Sequence, residues 1–379
     1  MAEPQPPTEQ LLAEVRLASV RGVGPLIRKR LVEAFGDAVA VLRASPQHLS
    51  AVQGVGSALA RAISDAPSNE AAAAILNEAH EANIRALTPS AGEYPAALKE
   101  IYDPPPVMYC RGKVLPQDRR AVAIVGTRRA TRYGLRQAEL LASGLARAGV
   151  TVVSGLARGV DGAAHRAALE SGGRTLAALA GGLMRIYPPE HARLADAVAQ
   201  QGALLAEAPP SMPPMSGSFP QRNRIISGLS LAVVVIEAAE RSGALITARH
   251  AAEQGRDVMA VPGTADNPQA RGCLRLIQEG AKLVISVEDI LEELDGCAAE
   301  SLMLASTPVA RENINEALVA KEWPEPDASI LSTLTREPKS IEVIMESTGE
   351  PIERVLASIS RLEAGGVAKR VSGVLVARA

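Results

Sequence analysis

Arginine side chains crowd the segment that follows an apolar run in the central third of the chain. The run AVAIVG at 121–126 is followed by Thr127, Arg128, Arg129 and Arg132. These residues begin the next predicted helix, whose N-terminal amide groups and dipole favour an anion. Guanidinium groups also offer planar, two-pronged hydrogen bonding to phosphate oxygens. The residue types and their spacing therefore predict that this loop binds a polyanion.

A second set of chemically capable residues lies in SGLARGVDGAAH, at 154–165. Gly155 allows a ligand to approach the backbone closely, and Asp161 and His165 are spaced to share one helical face. Together with Ser154 they suggest a hydrolase triad. However, the GxSxG elbow is absent, and an Asp and a His on one helix cannot line up behind a serine. We therefore interpret Asp161 as a helix-capping residue and His165 as a hydrogen-bonded core histidine.

Two later segments also carry arginine beside apolar runs. Arg174 directly precedes the run TLAALAGG, and the segment FPQRNRIISG contains Phe219, Arg222, Asn223 and Arg224. Two guanidinium groups around an amide suit phosphate and sugar, and a phenyl ring can stack on a base. The alternatives are that Asn223 bonds to loop backbone and that Phe219 fills the core. Both alternatives remain open. Aromatic residues make up only 2% of the chain, so stacking of Phe219 on a base is not favoured over a place in the core.

Short apolar runs alternate with these segments and predict the strands that position them. The runs occupy 121–126, 151–155, 175–182, 203–208, 231–238, 257–263 and 282–286. Helical stretches separate them, and parallel strands covered by helices on both faces have nearly continuous apolar sequences. The pattern predicts an α/β fold, a Rossmann-like doubly wound and mostly parallel sheet. Ligands of such sheets bind at the carboxyl ends of the strands, where most of the arginine-bearing loops fall.

The N-terminal part contains an internal repeat. Similar segments begin at Val20 (VRGVGPLIRKRL) and Val52 (VQGVGSALARAI), each with a Gly-x-Gly turn before an amphipathic helix. This predicts a SAM-like helix-hairpin-helix domain over residues 1–90, followed by the Rossmann-like core over 91–295. The glycine turns either expose amide groups to a phosphate or only permit tight helix packing.

The C-terminal part changes composition twice. Residues 296–326 are acidic and irregular, which predicts a linker, and residues 327–379 combine helical spacing with a final alternating segment. The latter pattern is typical of a winged-helix domain. Its predicted recognition helix has glutamates beside its arginines, so protein binding is at least as plausible there as binding of duplex DNA.

Total charge is uninformative, whereas the choice of basic residue is not. The 379 residues carry 40 Lys+Arg against 42 Asp+Glu, and 47% of them are hydrophobic, which is enough for sizeable cores. Between positions 121 and 290 every basic residue except Lys282 is arginine. Selection for phosphate binding explains this choice, and so does a GC-rich genome.

The sequence contains no pattern that predicts a metal, a cofactor or a membrane. Cys110, Cys273 and Cys297 are widely spaced, and neither a GxxxxGK[ST] loop nor a dinucleotide fingerprint is present. The N-terminus lacks the pattern of a secretory signal, and no apolar stretch reaches the roughly 18 residues of a membrane span. We expect a soluble cytoplasmic protein without metal or cofactor.

Six motifs occurring in order across the core resemble the DprA family, also called Smf, the DNA-processing proteins of natural transformation. They are VGTRRATRYG, SGLARGVDGAAH, GGL followed by IYPPEH, FPQRNRIISGLS, SGALITARHAAEQGRDVMAVPG and RGCLRLIQEGAKLV. The resemblance implies a protein without known catalysis. Such a protein binds and protects single-stranded DNA, loads the RecA recombinase onto it and forms homodimers.

The resemblance also implies roles for particular residues. By motif, the DNA groove would be lined by Arg128, Arg174, Arg222 and Arg224. Ile277 and Leu283 would belong to a self-association face, and Gln278 to the region of RecA contact. Arg174 stands where lysine is common in the family, a change that keeps the charge.

Two other functions remain as alternatives. Rossmann-like folds also occur in nucleotide-processing enzymes that cleave a glycosidic bond, for which Glu207 and Glu237 at strand ends are candidate carboxylates. The second alternative is a duplex-binding regulator that acts through the winged helix. A crevice at strand ends admits an extended strand but presents no helix to a major groove, which favours single-stranded DNA.

Overall fold

The computed structural model describes residues 7–294, 325–335, 339–364, 368–372 and 375–378. Of the predicted linker, 296–326, only the last two positions fall within these ranges. The chain forms two compact units that divide after Leu294.

The first unit begins with helices that contain the repeat. They are α1 (Glu9–Ala18), α2 (Pro25–Phe35), α3 (Ala38–Arg43), α4 (Pro46–Ser50), α5 (Ser57–Ser64) and α6 (Asn69–Glu81). Gly22 and Gly54 both have positive φ, at 98° and 87°, a conformation that glycine adopts without strain. Gly24 and Gly56 then cap α2 and α5. The two copies of the repeat therefore adopt equivalent turns.

The helical part is packed against the remainder of the first unit. Val15 of α1 and Ala79 of α6 belong to the same buried cluster as Leu183 and Leu204 from the central part. Ser211 also donates a hydrogen bond to the carboxylate of Glu78 at 3.1 Å. The described residues up to Leu294 accordingly form one compact unit.

A nine-stranded sheet forms the centre of this unit. Its strands are β1 (Arg85–Leu87), β2 (Met108–Gly112), β3 (Ala121–Val125), β4 (Thr151–Ser154), β5 (Thr175–Leu179), β6 (Ala203–Ala206), β7 (Ala232–Val235), β8 (Asp257–Ala260) and β9 (Lys282–Leu283). The order is β1-β2-β6-β5-β4-β3-β7-β8-β9. Neighbouring strands pair parallel along the stretch β6-β5-β4-β3-β7-β8-β9, whereas β2 pairs antiparallel with both β1 and β6. Each of the seven apolar runs forms one of the parallel strands.

Helices cover both faces of the sheet, as the doubly wound prediction requires. They are α7 (Ala96–Lys99), α8 (Arg132–Arg147), α9 (Val160–Glu170), α10 (Ala192–Gln201), α11 (Ser218–Gly228), α12 (Gly243–Glu253) and α13 (Arg271–Gln278); residues 287–294 are also helical. Residues of α8 and α9 pack in one buried cluster, and those of α11 and α12 in another. The predicted α/β class, with a mostly parallel sheet and an N-terminal helical part, is confirmed.

The strand order creates a crevice beside β3. The chain proceeds from β3 outward to β6, then returns to place β7 on the other side of β3. The loops that follow β3 and β7 therefore diverge toward opposite faces of the sheet. Such a switch point is the usual ligand site of open α/β sheets.

The second unit comprises α14 (Asp327–Thr333), β10 (Lys339–Ser340), α15 (Ile341–Thr348), α16 (Ile352–Ala364), β11 (Ala368–Ser372) and β12 (Leu375–Arg378). Its three strands form an antiparallel sheet in the order β10-β12-β11. Ile344, Val355 and Ile359 lie in its buried core, and Arg361 forms two hydrogen bonds to Asp327, at 2.7 and 2.8 Å. The winged-helix assignment of this unit stays a prediction.

No helix among the described residues is long and apolar enough to cross a bilayer.

Candidate nucleic-acid interface

A crevice of about 240 Å³ lies at the switch point of the sheet. Its walls come from the end of β3 and the loop after it, from the loop between β4 and α9, and from the N-terminal parts of α9, α11 and α12. Among the residues that line it are Thr127, Arg128, Asp161, Phe219, Arg222, Asn223 and Gly243. Five of the predicted binding residues therefore meet here.

The arginine loop between β3 and α8 forms one rim of the crevice. Its first residue is tied down, because Thr127 N–H donates to the carbonyl of Glu237 at 2.7 Å. Arg128, Arg129 and Arg132 are exposed, and none of the three forms an ion pair within the described part of the chain. Their guanidinium groups therefore face solvent, and the binding of a polyanion by this loop stays a prediction.

Two aromatic rings extend this rim. The guanidinium carbon of Arg128 lies 4.8 Å from the centroid of the Phe219 ring, a cation–π contact. The Phe219 ring in turn packs edge-on against Tyr187, with centroids 5.8 Å apart and an interplanar angle of 66°. Tyr187 is 40% exposed. Tyr187 was not among the sequence-predicted site residues, although its place after a strand, in IYPPEH, was the available signal.

Arg222 lies inside the protein beneath this rim. Its side chain is 6% exposed, and its Nη1 donates to the carbonyl of Gly155 at 2.7 Å and to that of Ala178. Burial lowers the pKa of Arg222 to about 10, partly offset by the carboxylate of Asp161. The side chain thus supports the β4 loop. A Cβ on Gly155 would lie 2.6 Å from the guanidinium group, so any larger residue there would displace Arg222 from this position.

Asn223 and Arg224 are also engaged by the protein itself. Asn223 donates to the carbonyl of Gly243 at 3.1 Å, the loop-bonding role that the sequence left open. Arg224 pairs with Glu207 at 2.6 Å and with Asp103 at 3.3 Å. The structure differs here from the expectation that Arg222 and Arg224 converge with Arg128 on an open groove. α11 turns both side chains inward, where carbonyl and carboxylate oxygens replace water.

Arg174 lies at the amino end of β5, at the opposite end of the strands from the crevice. It precedes β5, whereas the crevice lies beyond the strand's carboxyl end. Its guanidinium binds the buried carboxylate of Asp118 at 2.8 and 2.9 Å and donates to the carbonyls of Gln201 and Lys113. The structure therefore does not bring Arg174 together with the arginine loop.

The other polar residues of the strand ends also have internal partners. Ser154 donates to the carbonyl of Ile124 at 2.6 Å, and His165 Nδ1 lies 2.7 Å from the Thr175 hydroxyl. Asp161 accepts from the amides of Gly155 and Ala157, so it bonds the preceding loop, and glycine instead occupies the N-cap of α9. This arrangement is not a serine triad.

The two carboxylates considered for catalysis are similarly engaged. Glu237 is 2% exposed and accepts two hydrogen bonds from Thr131. Burial raises the pKa of Glu207, and the Arg224 guanidinium opposes that shift. No group of three or more His, Cys, Asp or Glu suited to a metal occurs among the described residues.

Three basic residues of α2, after the first glycine turn, also have partners. Arg28 pairs with Glu14, whose side chain is 4% exposed. Lys29 lies 4.2 Å from the centroid of the Tyr102 ring, and Arg30 donates to the carbonyl of Gln53 at 3.1 Å.

The predicted self-association residues lie at the far edge of the sheet. Ile277 on α13 is half-buried, Gln278 is exposed, and Leu283 on β9 is 44% exposed. Ile285 follows at 70% exposure. These residues give the sheet edge an apolar character.

Comparison with known proteins places this chain among DNA-processing proteins. The profile of the family described as DNA recombination-mediator protein A matches residues 85–295, and that of a SAM-like helix-hairpin-helix tandem matches residues 14–66. Protein Smf of Synechocystis sp. is 41% identical over 281 residues, which are 73% of this chain and 71% of that protein. DNA processing protein DprA of Bacillus subtilis is 47% identical over 221 residues, 58% of this chain and 74% of that protein.

Two solved structures have the same core. The X-ray structure of DprA from Streptococcus pneumoniae superposes with a TM-score of 0.65 at 33% identity, covering 76% of this chain and 99% of the other. A structure of DprA from Helicobacter pylori, described by its single-stranded DNA binding mode, has a TM-score of 0.51 at 31% identity. It covers 56% of this chain and 95% of the other.

Proposed function

The chain belongs to the DNA recombination-mediator protein A family, and on that basis we propose that it binds single-stranded DNA at the switch-point crevice. Its role is to protect the strand and to load the RecA recombinase onto it during natural transformation. It performs this role by binding, without chemistry of its own.

The observation that carries the proposal is the row formed by Arg128, Phe219 and Tyr187 at the rim of the crevice. A cation without a carboxylate partner suits a phosphate, and the adjacent half-exposed rings suit bases. Arg129 and Arg132 add charge along the same rim. A single strand exposes both phosphates and unpaired bases, whereas a duplex hides its base faces, so the row favours a single strand.

The test is an anisotropy titration of a labelled oligo-dT strand at several salt concentrations. We expect Arg128→Ala to weaken binding and to make the slope of log affinity against log salt shallower by about 0.7 for each phosphate that the variant no longer binds. Arg147→Ala is the matched control, because Arg147 is an exposed arginine at the other end of α8. Equal affinity and slope for the two variants would contradict the assignment.

Association of two chains and contact with RecA form the second part of the proposal. The apolar edge at Ile277 and Leu283 supports a homodimer, and Gln278 beside it supports a RecA contact. Leu283→Glu is expected to lower the sedimentation coefficient toward that of a monomer while the variant still binds oligo-dT.

Gln278→Ala is expected to leave the dimer intact and to slow the assembly of RecA on a single strand coated with this protein. A RecA partner would place this activity in the cytoplasm.

A further inference from the structure

The outer side of α8 carries an aromatic ring and two cations next to the arginine loop. Arg132, Arg136 and Leu140 follow one another at intervals of four residues, and Tyr133 lies three residues before Arg136. Residues at these intervals share one side of a helix, and all four are exposed. We call this two-turn surface the α8 face. It continues directly from the arginine loop, because Arg132 is the first residue of the helix.

The ring of Tyr133 is exposed and is also held in place. It is 44% exposed, slightly more than Tyr187 at 40%. Its hydroxyl donates to the carbonyl of Pro262, in the loop after β8, at 2.8 Å. A side chain whose polar end is already bound has less conformational freedom to lose when a ligand packs on it. The ring is therefore suited to stack on a flat group.

Exposed aromatic rings are scarce in this chain, which makes their positions informative. Two of its five tyrosines are buried, and Tyr102 contacts Lys29 in the helical part. The other two lie beside the arginine loop, Tyr187 through the Phe219 ring and Tyr133 along α8. Aromatic rings placed among cations are the usual platform for unpaired bases.

The cations of the α8 face have no carboxylate partner. Neither Arg132 nor Arg136 forms an ion pair within the ranges that the structure describes. Glu139 is the single carboxylate in the sequence of α8. The two arginines are about 6 Å apart along the helix axis, which is on the order of the distance between neighbouring phosphates of an extended strand. The face thus offers a phosphate site on either side of the ring.

From these observations we propose that the α8 face binds the nucleotides that leave the crevice, with one base stacked on Tyr133 and a phosphate bound by Arg136. This inference deepens, and rests on, the proposed single-strand function. The row at the rim holds the strand at the crevice, and the α8 face holds the nucleotides next to it. Exposed tyrosine and arginine also suit a protein partner. The strand is favoured because Arg132 belongs to both the arginine loop and the α8 face.

A length series of oligo-dT strands tests the α8 face. Strands of about 4 to about 16 nucleotides span the site sizes of single-strand-binding folds. Tyr133→Leu removes the ring but keeps an apolar side chain that favours a helix. The variant should bind the shortest strands as the wild type does, because the row at the rim is intact. It should bind the longer strands about tenfold more weakly.

Tyr102→Leu is the matched control, because it makes the same substitution at a tyrosine that is 64% exposed and lies outside α8. It should bind strands of every length as the wild type does. Arg136→Ala should make the slope of log affinity against log salt shallower by about 0.7 on the longer strands alone. Arg147→Ala, at the other end of the same helix, should leave that slope unchanged.

Photocrosslinking locates the strand independently of affinity. Long strands carrying a single 5-bromodeoxyuridine at successive positions are irradiated with the wild-type protein, and the labelled residue is mapped. An adduct on Tyr133 from positions other than those that label Phe219 or Tyr187 supports the inference. Absence of that adduct at every position contradicts it.

The two proposals fail in different ways. If Tyr133→Leu matches Tyr102→Leu at every strand length, the α8 face does not bind the strand although the single-strand function stands. The face is then left to a protein partner. If the wild type binds no oligo-dT of any length, the proposed function is wrong and the inference falls with it.

Discussion

Glu237 at the end of β7 binds Thr131 at the start of α8 through both oxygens of its carboxylate. The Thr131 amide donates to Oε2 at 2.9 Å and the Thr131 hydroxyl to Oε1 at 2.5 Å. The same hydroxyl accepts from Gly134 N–H at 3.1 Å and so caps the helix. Together with the bond from Thr127 to the Glu237 carbonyl, these contacts hold both ends of the arginine loop against β7.

Glu237→Gln should therefore weaken single-strand binding without removing any positive charge. One amide oxygen cannot replace two carboxylate acceptors, and removing a charge-assisted hydrogen bond costs about 1.5–3 kcal/mol of unfolding free energy. Urea unfolding and oligo-dT titration measure the two effects. Glu253→Gln is the control, since Glu253 is exposed on α12; equal effects of both variants would show that Glu237 does not hold the loop.

Phe219→Leu should reduce affinity for oligo-dT because it removes an aromatic face while keeping an apolar side chain. Stacking of one base on an aromatic ring contributes about 1–3 kcal/mol. Tyr187→Phe keeps the neighbouring ring and removes only a hydroxyl, so it should bind as the wild type does. The comparison is made by anisotropy at fixed salt, and an unaffected Phe219→Leu variant would mean that the ring only fills space.

Arg174→Ala should lower stability and leave single-strand binding intact. The substitution removes the cation that pairs with Asp118, whose side chain is 3% exposed, and breaking a buried ion pair costs about 3–5 kcal/mol. Arg174→Lys keeps one charge and should recover part of that stability. Unfolding by urea gives the stability, and titration below the unfolding transition gives the affinity. Reduced affinity at unchanged stability would instead return Arg174 to the DNA groove.

His165 should make the protein less stable as pH falls below about 6.5, the ordinary pKa of histidine. Burial lowers the pKa of His165 to about 3. The Thr175 hydroxyl donates to the Val152 carbonyl, so Nδ1–H is the donor to Thr175, and protonation at Nε2 would create a buried cation without a partner. Between pH 6.5 and 3 the unfolded chain therefore binds a proton that the folded chain does not. The cost approaches about 1.4 kcal/mol per pH unit.

Urea unfolding at pH 7.5, 5.5 and 4.5 measures this dependence. His165→Gln should flatten the decline of the unfolding free energy by up to one proton's contribution, whereas His48→Gln, at an exposed position, should not. The same slope for both variants would show that His165 does not carry the effect.

Much of the architecture is readable from the sequence because burial on both faces leaves a local signature. Seven apolar runs predict the parallel strands, and the repeated Gly-x-Gly turns predict the equivalent entries to α2 and α5. The exposure of Arg128, Arg129 and Arg132 is also readable from the sequence, because a loop between a strand and the next helix lies at the carboxyl ends of the strands, outside the buried sheet.

The partners of the other arginines are decided only by the tertiary structure. Arg222 and Arg224 are two residues apart and identical in type to Arg128, yet α11 directs them toward Gly155 and Glu207, which are distant in sequence. Arg174 is separated from the crevice by the length of a strand. Which guanidinium remains free depends on which oxygen atoms folding brings beside it, and no local sequence pattern contains that information.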